Sequence, residues 1–173
     1  MATVYNIYIG QNRILTNGPD IADEYKCLAI KDERAALILY NQSFYEQSAY
    51  LIIQSMEKYI KAHISSIIDI TNPYYASKIR DIGHSLDSAI DFLLEIVTAG
   101  KDIHLAGQLE YQLKDVVFKN IRFGSLNSSL RYPMYNYYKN GYSIKQLSKQ
   151  DCVLLFNMLN QLKEYLNQIL LVM

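Results

Sequence analysis

An arginine and a histidine four positions apart are the residues whose types first suggest chemistry. Arg80 and His84 lie in the stretch KIRDIGHSLDSAIDFLLEI, just where an apolar periodic run begins. A histidine can take a proton from a ribose 2′-hydroxyl near neutral pH, and a nearby arginine can stabilise the charge that builds on the phosphate. On one helix the two side chains would share a face. Such a pair could cleave RNA without a metal ion.

The same stretch also has a purely structural interpretation. Gly83 separates the two side chains, and Ser85 is a better candidate for the N-cap of the following helix. A helix that begins after Ser85 would leave Arg80 in a loop, with no fixed relation to His84. The spacing alone does not decide between the two interpretations.

The remaining histidines and the two cysteines favour structural roles. His63 lies on the apolar stripe of a predicted helix, which is typical of a hydrogen-bonded core or interface residue, and His104 is predicted to lie on the surface near a helix start. Cys27 and Cys152 are far apart and are expected to be buried, reduced thiols. We find no metal-ligand spacing, no phosphate-binding glycine loop and no G-x-S-x-G turn, so no metal or cofactor is predicted.

A second candidate for chemistry is the stretch RYPMYNYYKNGY, residues 131–142. It interleaves Arg131 and Lys139 with five tyrosines, and such a mixture can pair with phosphates and stack on bases. The alternative, favoured for most of the tyrosines, is a tyrosine-rich loop that packs over the end of the bundle.

Composition limits the classes of function. The 173 residues include 17 basic and 17 acidic side chains, so the formal net charge is zero and the chain lacks the strongly basic character of many nucleic-acid-binding domains. A local basic patch remains open. We find no signal peptide and no apolar run long enough to span a membrane, and we expect a cytoplasmic protein.

Hydrophobic periodicity predicts the elements that must position these residues. Helical patterns cover about 32–68, with a break near 41–43, and then about 86–98, 104–121 and 149–173. The Asn17-Gly18-Pro19-Asp20 turn predicts an earlier helix start, and Ser148 with Asp151 forms a capping box for the last helix. The pattern at 3–10 predicts a short strand or extended arm, whereas 74–83 and 122–143 read as loops. We therefore predict an N-terminal extension over 1–30 and, over 31–173, an all-α antiparallel up-and-down bundle of about five helices.

Three stretches in this order resemble the HEPN superfamily. SAYLIIQSMEKYIKAHI (48–64) resembles its first motif, IGHSLDSAIDFL (82–93) resembles its His-Asp-Leu motif with serine in place of the acid, and LNSSLRYP (126–133) resembles its Arg-Tyr-Pro motif. The resemblance covers about residues 30–170. The positions that carry it are Ala49, Tyr50, Gln54, Glu57, Lys58, Lys61, Ala62, His84, Leu86, Arg131, Tyr132 and Pro133.

The resemblance implies a helical bundle, usually a homodimer, that works in a prokaryotic defence, toxin–antitoxin or stress system. Many members are metal-independent endoribonucleases, but their arginine and histidine are separated by more residues than Arg80 and His84, which enclose only three. The subgroup with His-Asp-Leu-like and Arg-Tyr-Pro motifs, similar to the C-terminal HEPN domain of sacsin, is a better match. For that subgroup the resemblance implies nucleotide-type ligands and dimerisation.

The matched motifs predict a site in which His84 acts with Arg131 rather than with Arg80. Lys58, Lys61, Arg131 and Tyr132 are the predicted ligand-binding residues. Three functions remain open at this point. The first is a dimerising module that binds nucleotide or RNA, and the second is a metal-independent endoribonuclease, perhaps a toxin, that uses His84 with Arg80 or Arg131. The third is a non-catalytic interaction or regulatory domain that binds a partner protein of the same system.

Overall fold

The computed structural model describes residue 10 and residues 12–170, which form seven α-helices and one β-hairpin. The helices are α1 (Gly18–Asn41), α2 (Tyr45–Ile67), α3 (Pro73–Ile82), α4 (Leu86–Thr98), α5 (Ile103–Tyr111), α6 (Phe123–Arg131) and α7 (Lys149–Leu170). A π-helical turn, Gln112–Val117, follows α5, and the hairpin pairs β1 (Met134–Asn136) with β2 (Gly141–Ser143). The predicted all-α class is confirmed, whereas the predicted count of about five helices is too low. The arm predicted over 3–10 lies almost wholly outside the described residues.

Local capping explains where the predicted helices begin. The Asn17 side chain accepts a hydrogen bond from the Asp20 backbone N–H at 2.9 Å, and Pro19 occupies the first turn of α1. Ser148 and Asp151 form the predicted capping box at α7, since each side chain accepts from the other's backbone N–H. Helix α1 continues without a break through residue 30, where the sequence analysis had ended an N-terminal extension.

Helices α1 and α2 pack closely because small residues face each other. Two serines of α2 donate hydrogen bonds across the interface: Ser48 Oγ bonds the Ala36 carbonyl at 2.8 Å, and Ser55 Oγ bonds the Ala29 carbonyl at 2.9 Å. Both pairs repeat after seven residues and run in opposite directions, so the two helices form an antiparallel pair in heptad register.

Helix α2 lies at the centre of the bundle and also packs against α4, α6 and α7. The apolar side chains of its inner stripe are buried, and they form one core with the stripe of α7 that the sequence predicted. The described residues of these two stripes are Ile52, Ile53, Met56, Ile60, Ile64, Cys152, Leu155, Leu159, Leu162, Leu166 and Ile169. None of the described helices combines the length and the apolar composition that crossing a bilayer requires.

Two segments predicted to be loops contain helices. Helix α3 begins after Asn72, whose side chain accepts from the Tyr74 N–H at 2.9 Å, and it has only 10 residues, too few for a clear apolar period. Helix α6 has 9 residues, and its start is stabilised from a distance: the Asp87 carboxylate of α4 accepts from the Phe123 and Gly124 N–H groups. A cap that comes from another helix leaves no local sequence signal.

The remaining predictions on histidine and cysteine are partly confirmed. His104 is exposed, and its backbone N–H donates to the Asp102 side chain at the start of α5. Cys152 is buried as predicted, but Cys27 is exposed; both are free thiols. His63 is buried, with 7% of its surface exposed, yet its Nε2 has no hydrogen-bond partner among the described residues.

Replacing His63 by glutamine should flatten the dependence of stability on pH. Burial lowers the pKa of His63 to about 4, whereas the unfolded chain keeps a value of about 6.5. The unfolded state therefore gains a proton first, and the stability present above pH ~6.5 is lost as the pH falls towards ~4. In urea unfolding at pH ~7 and pH ~4.5, we expect the loss to be about 2 kcal/mol larger for the wild type than for His63→Gln. His104→Gln, at an exposed histidine, should behave like the wild type, and a His63→Gln profile equal to that of the wild type would contradict the assignment.

Candidate functional site

Four polar or aromatic residues lie along one face of α2. Tyr50, Gln54, Glu57 and Lys61 follow each other at steps of four, three and four, which places them on a single stripe of the helix. Lys61 Nζ is 2.8 Å from Glu57 Oε1, and both side chains are buried. Gln54 Nε2 donates to the other carboxylate oxygen of Glu57 at 3.4 Å. Three of these side chains, Gln54, Glu57 and Lys61, are therefore a buried polar cluster, and Tyr50 at the end of the stripe is partly buried.

The turn between α3 and α4 places His84 above this stripe. Gly83 ends α3 with a φ of 56°, a value that favours glycine, and Lys61 Nζ donates to the Gly83 carbonyl at 2.5 Å. His84 Nδ1 then lies 3.8 Å from Glu57 Oε1, while 81% of the imidazole side chain is exposed. The geometry is that of a solvent-facing imidazole whose inner edge faces a buried carboxylate. Ser85 caps α4 immediately afterwards, as predicted.

Arg131 lies at the end of α6, with its guanidinium close to two aromatic rings. Its central carbon is 5.7 Å from the ring centre of Tyr50 and 5.4 Å from that of Tyr132, distances typical of cation–π contacts. Its Nε donates weakly to the Asn127 carbonyl at 3.4 Å. Over residues 12–170, no carboxylate forms an ion pair with Arg131, so its terminal donors remain available to an anion.

Arg131 and His84 lie beside the same stripe of α2, at different heights. Arg131 contacts Tyr50, and His84 faces Glu57, seven residues or about 10 Å further along the helix axis. The contacts that the two side chains make with α2 are therefore about two helical turns apart.

The other predicted site residues lie in different surroundings. Arg80 is in α3 rather than in a loop, and its exposed guanidinium contacts Ser77 at 3.0 Å and Asp81 at 3.8 Å rather than His84. Lys58 points towards α1, where it forms an ion pair with Asp32. Lys61 is buried within the stripe, so it stabilises the site from inside the bundle and does not form part of its surface.

The structure adds two contributors that the sequence analysis matched to motifs but did not name as site residues. Tyr50 supports the Arg131 guanidinium, and Glu57 faces His84. The sequence signal was present, since polar side chains recur on a helix whose neighbouring positions are apolar. Glu57 also affects a residue of α1. Burial raises the pKa of Tyr25, and the negative charge of Glu57 raises it further.

Comparisons with protein families, curated proteins and solved structures find no match for this chain. A cavity of about 410 Å³ between α1, α2 and α7 is lined by His63 and contains neither His84 nor Arg131, which lie on an open face. Among the residues that the structure describes, no group of three or more histidine, cysteine and acidic side chains is arranged to hold a metal ion.

Replacing Glu57 by glutamine should strongly destabilise the fold. The change leaves the Lys61 ammonium buried without a counter-charge, and removing one partner of such a pair costs about 3 kcal/mol. Glu110→Gln is the matched control, because Glu110 and Lys114 have the same i,i+4 spacing but are more exposed, and we expect it to cost less than about 1 kcal/mol. Urea unfolding at neutral pH measures both changes. Equal, small losses in the two variants would contradict a structural role for the Glu57–Lys61 pair.

Proposed function

We propose that this chain is a dimerising module that binds a nucleotide or a short segment of RNA on the face formed by Tyr50, His84, Arg131 and Tyr132. The observation that carries the proposal is the Arg131 guanidinium, which lies within cation–π distance of two aromatic rings and is not in an ion pair with a carboxylate of the described residues. An arginine held in this way can bind phosphate through two parallel hydrogen bonds.

The other groups on this face suit the remaining parts of a nucleotide. Tyr132 is 61% exposed, so its ring offers a stacking surface for a base. The exposed edge of His84 offers a hydrogen bond about two helical turns from Arg131. The zero net charge fits a confined anion site better than a long groove for nucleic acid.

The HEPN resemblance supplies the biological setting of the proposal. It supports a homodimer that works in the cytoplasm, within a prokaryotic defence, toxin–antitoxin or stress system, with a partner protein of that system. The proposal includes no metal or cofactor.

Changing Arg131 to alanine should weaken nucleotide binding at least about tenfold, because a hydrogen bond to a charged group contributes about 1.5–3 kcal/mol. Arg80→Ala is the matched control: Arg80 is also an exposed arginine in the last turn of a helix, but it lies outside the stripe. Titration calorimetry with AMP, ADP and UMP measures the affinity of each variant. Unchanged affinity in Arg131→Ala would contradict the proposal at its centre.

A metal-independent ribonuclease is the second candidate, and one specific observation favours it. A buried carboxylate lies 3.8 Å from the imidazole of His84, an arrangement that can orient a histidine that acts as base and then as acid. Arg131 would be the cationic partner on the same face of α2, whereas the Arg80 side chain contacts Ser77 and Asp81.

Under this second function, purified protein should cleave single-stranded RNA in the presence of EDTA. His84→Ala should abolish the cleavage, because the proton-transfer group is lost, and His104→Ala, at an exposed histidine on α5, should not change it. Denaturing gel electrophoresis of a labelled RNA measures the products. If neither the wild type nor the variants cleave RNA, the ribonuclease function is excluded and binding remains.

A further inference from the structure

The segment between Asp115 and Asp151 has a charge distribution that differs from that of the whole chain. Residues 116–150 contain six basic and no acidic residues, although the protein as a whole has no net charge. Four of the six, Arg131, Lys139, Lys145 and Lys149, flank or lie within the β-hairpin. We call residues 132–145 the tyrosine hairpin; it contains five tyrosines at positions 132, 135, 137, 138 and 142.

The tyrosines of this hairpin do not pack over the end of the bundle, contrary to the interpretation favoured from the sequence. Tyr137 is 86% exposed, Tyr138 is 101% exposed and Tyr142 is 74% exposed. Met134 and Ile144 add further exposed apolar surface at 45% and 72%. A patch of exposed aromatic and apolar residues contributes little to the fold and is typical of a surface that contacts a ligand or partner.

The hairpin holds three of its five rings, those of Tyr135, Tyr137 and Tyr142, against one another. The ring of Tyr135 lies edge-on to Tyr137 and Tyr142, with centroids 4.9 and 5.4 Å away. The Tyr135 hydroxyl donates to the Asn140 side chain at 2.6 Å, and Asn140 adopts a left-handed conformation, with a φ of 44°, at the turn. Rings that are ordered before a ligand arrives lose little entropy on binding.

We propose that the tyrosine hairpin is a docking surface for single-stranded nucleic acid. The positive charge of the segment favours a polyanion, and exposed tyrosine rings favour a ligand with unstacked bases, since each base can stack on a ring. A base-paired duplex hides its bases and lacks the second interaction. The hairpin directly follows Arg131, so a longer ligand would occupy both the proposed nucleotide site and the hairpin. Only this link to the nucleotide site rests on the proposed function.

The test measures fluorescence anisotropy of a labelled oligoadenylate RNA on the order of twelve nucleotides, with a DNA oligomer of equal length and an RNA duplex as comparators. The double variant Tyr137→Ser/Tyr138→Ser should weaken binding to the single strand at least about tenfold, because each stacked base is lost. Tyr111→Ser is the matched control, since Tyr111 is also exposed but lies at the end of α5. We expect the single strand to bind more tightly than the duplex.

A second variant tests the electrostatic part of the proposal. Lys139→Gln/Lys145→Gln should make the slope of log affinity against log salt concentration shallower by about 1.4, because two phosphate contacts on a single strand are removed. Circular dichroism and thermal melting of all variants should match the wild type. The tyrosines and lysines changed in the hairpin are exposed, so the fold does not depend on them.

Three results would overturn the inference. The first is that the wild type does not bind the single strand, and the second is that the double tyrosine variant binds it as tightly as the wild type. The third is that sedimentation shows a change only in the oligomeric state of the double variant, which would make the hairpin a protein–protein contact. Failure of the proposed nucleotide site gives a different pattern: mononucleotides do not bind or are insensitive to Arg131→Ala, while the tyrosine variants still weaken RNA binding.

Discussion

The arrangement of the candidate site depends on the buried ion pair between Glu57 and Lys61. Charges removed from water are stable only when they have a partner and when their remaining hydrogen-bonding capacity is used. Lys61 uses part of that capacity on the Gly83 carbonyl, and Glu57 uses part of its own on Gln54. The pair therefore connects the middle of α2 to the turn that precedes α4, and this connection places the His84 imidazole near the same carboxylate.

The first turn of α4 links the position of His84 to that of Arg131. His84 is followed by Ser85, which caps α4, and by Asp87, which accepts the Phe123 and Gly124 N–H groups at the start of α6. Helix α6 ends at Arg131, where the guanidinium meets Tyr50 of α2. One short helical turn thus orients both candidate residues, and α2 supplies a contact beneath each. The tight α1–α2 interface covers another face of α2, which leaves this stripe as the face open to α4 and α6.

The sequence predicted those parts of the fold that depend on local patterns. The long helices follow from apolar periodicity, and the starts of α1, α4 and α7 follow from their capping residues. Helix α6 was missed because Asp87 caps it from 36 positions away, and a period cannot be recognised in so short a helix. The site was predicted in part for the same reason. Arg131 and His84 could be matched to motifs, but the ion pair of Lys58 with Asp32 in α1 and the contact of Arg131 with Tyr50 are tertiary facts.

The two charged regions of the chain differ in whether their charges are compensated. In the α2 stripe, Glu57 and Lys61 compensate each other in the interior, so the stripe adds little field at the surface. The segment 116–150 contains six basic and no acidic residues, and the basic residues near the hairpin lie at the surface. Asp151, which follows the segment, interacts electrostatically with Lys145. Arg131 belongs to this segment and also contacts Tyr50 of the stripe, so it links the charge-compensated stripe to the basic segment that precedes and includes the hairpin.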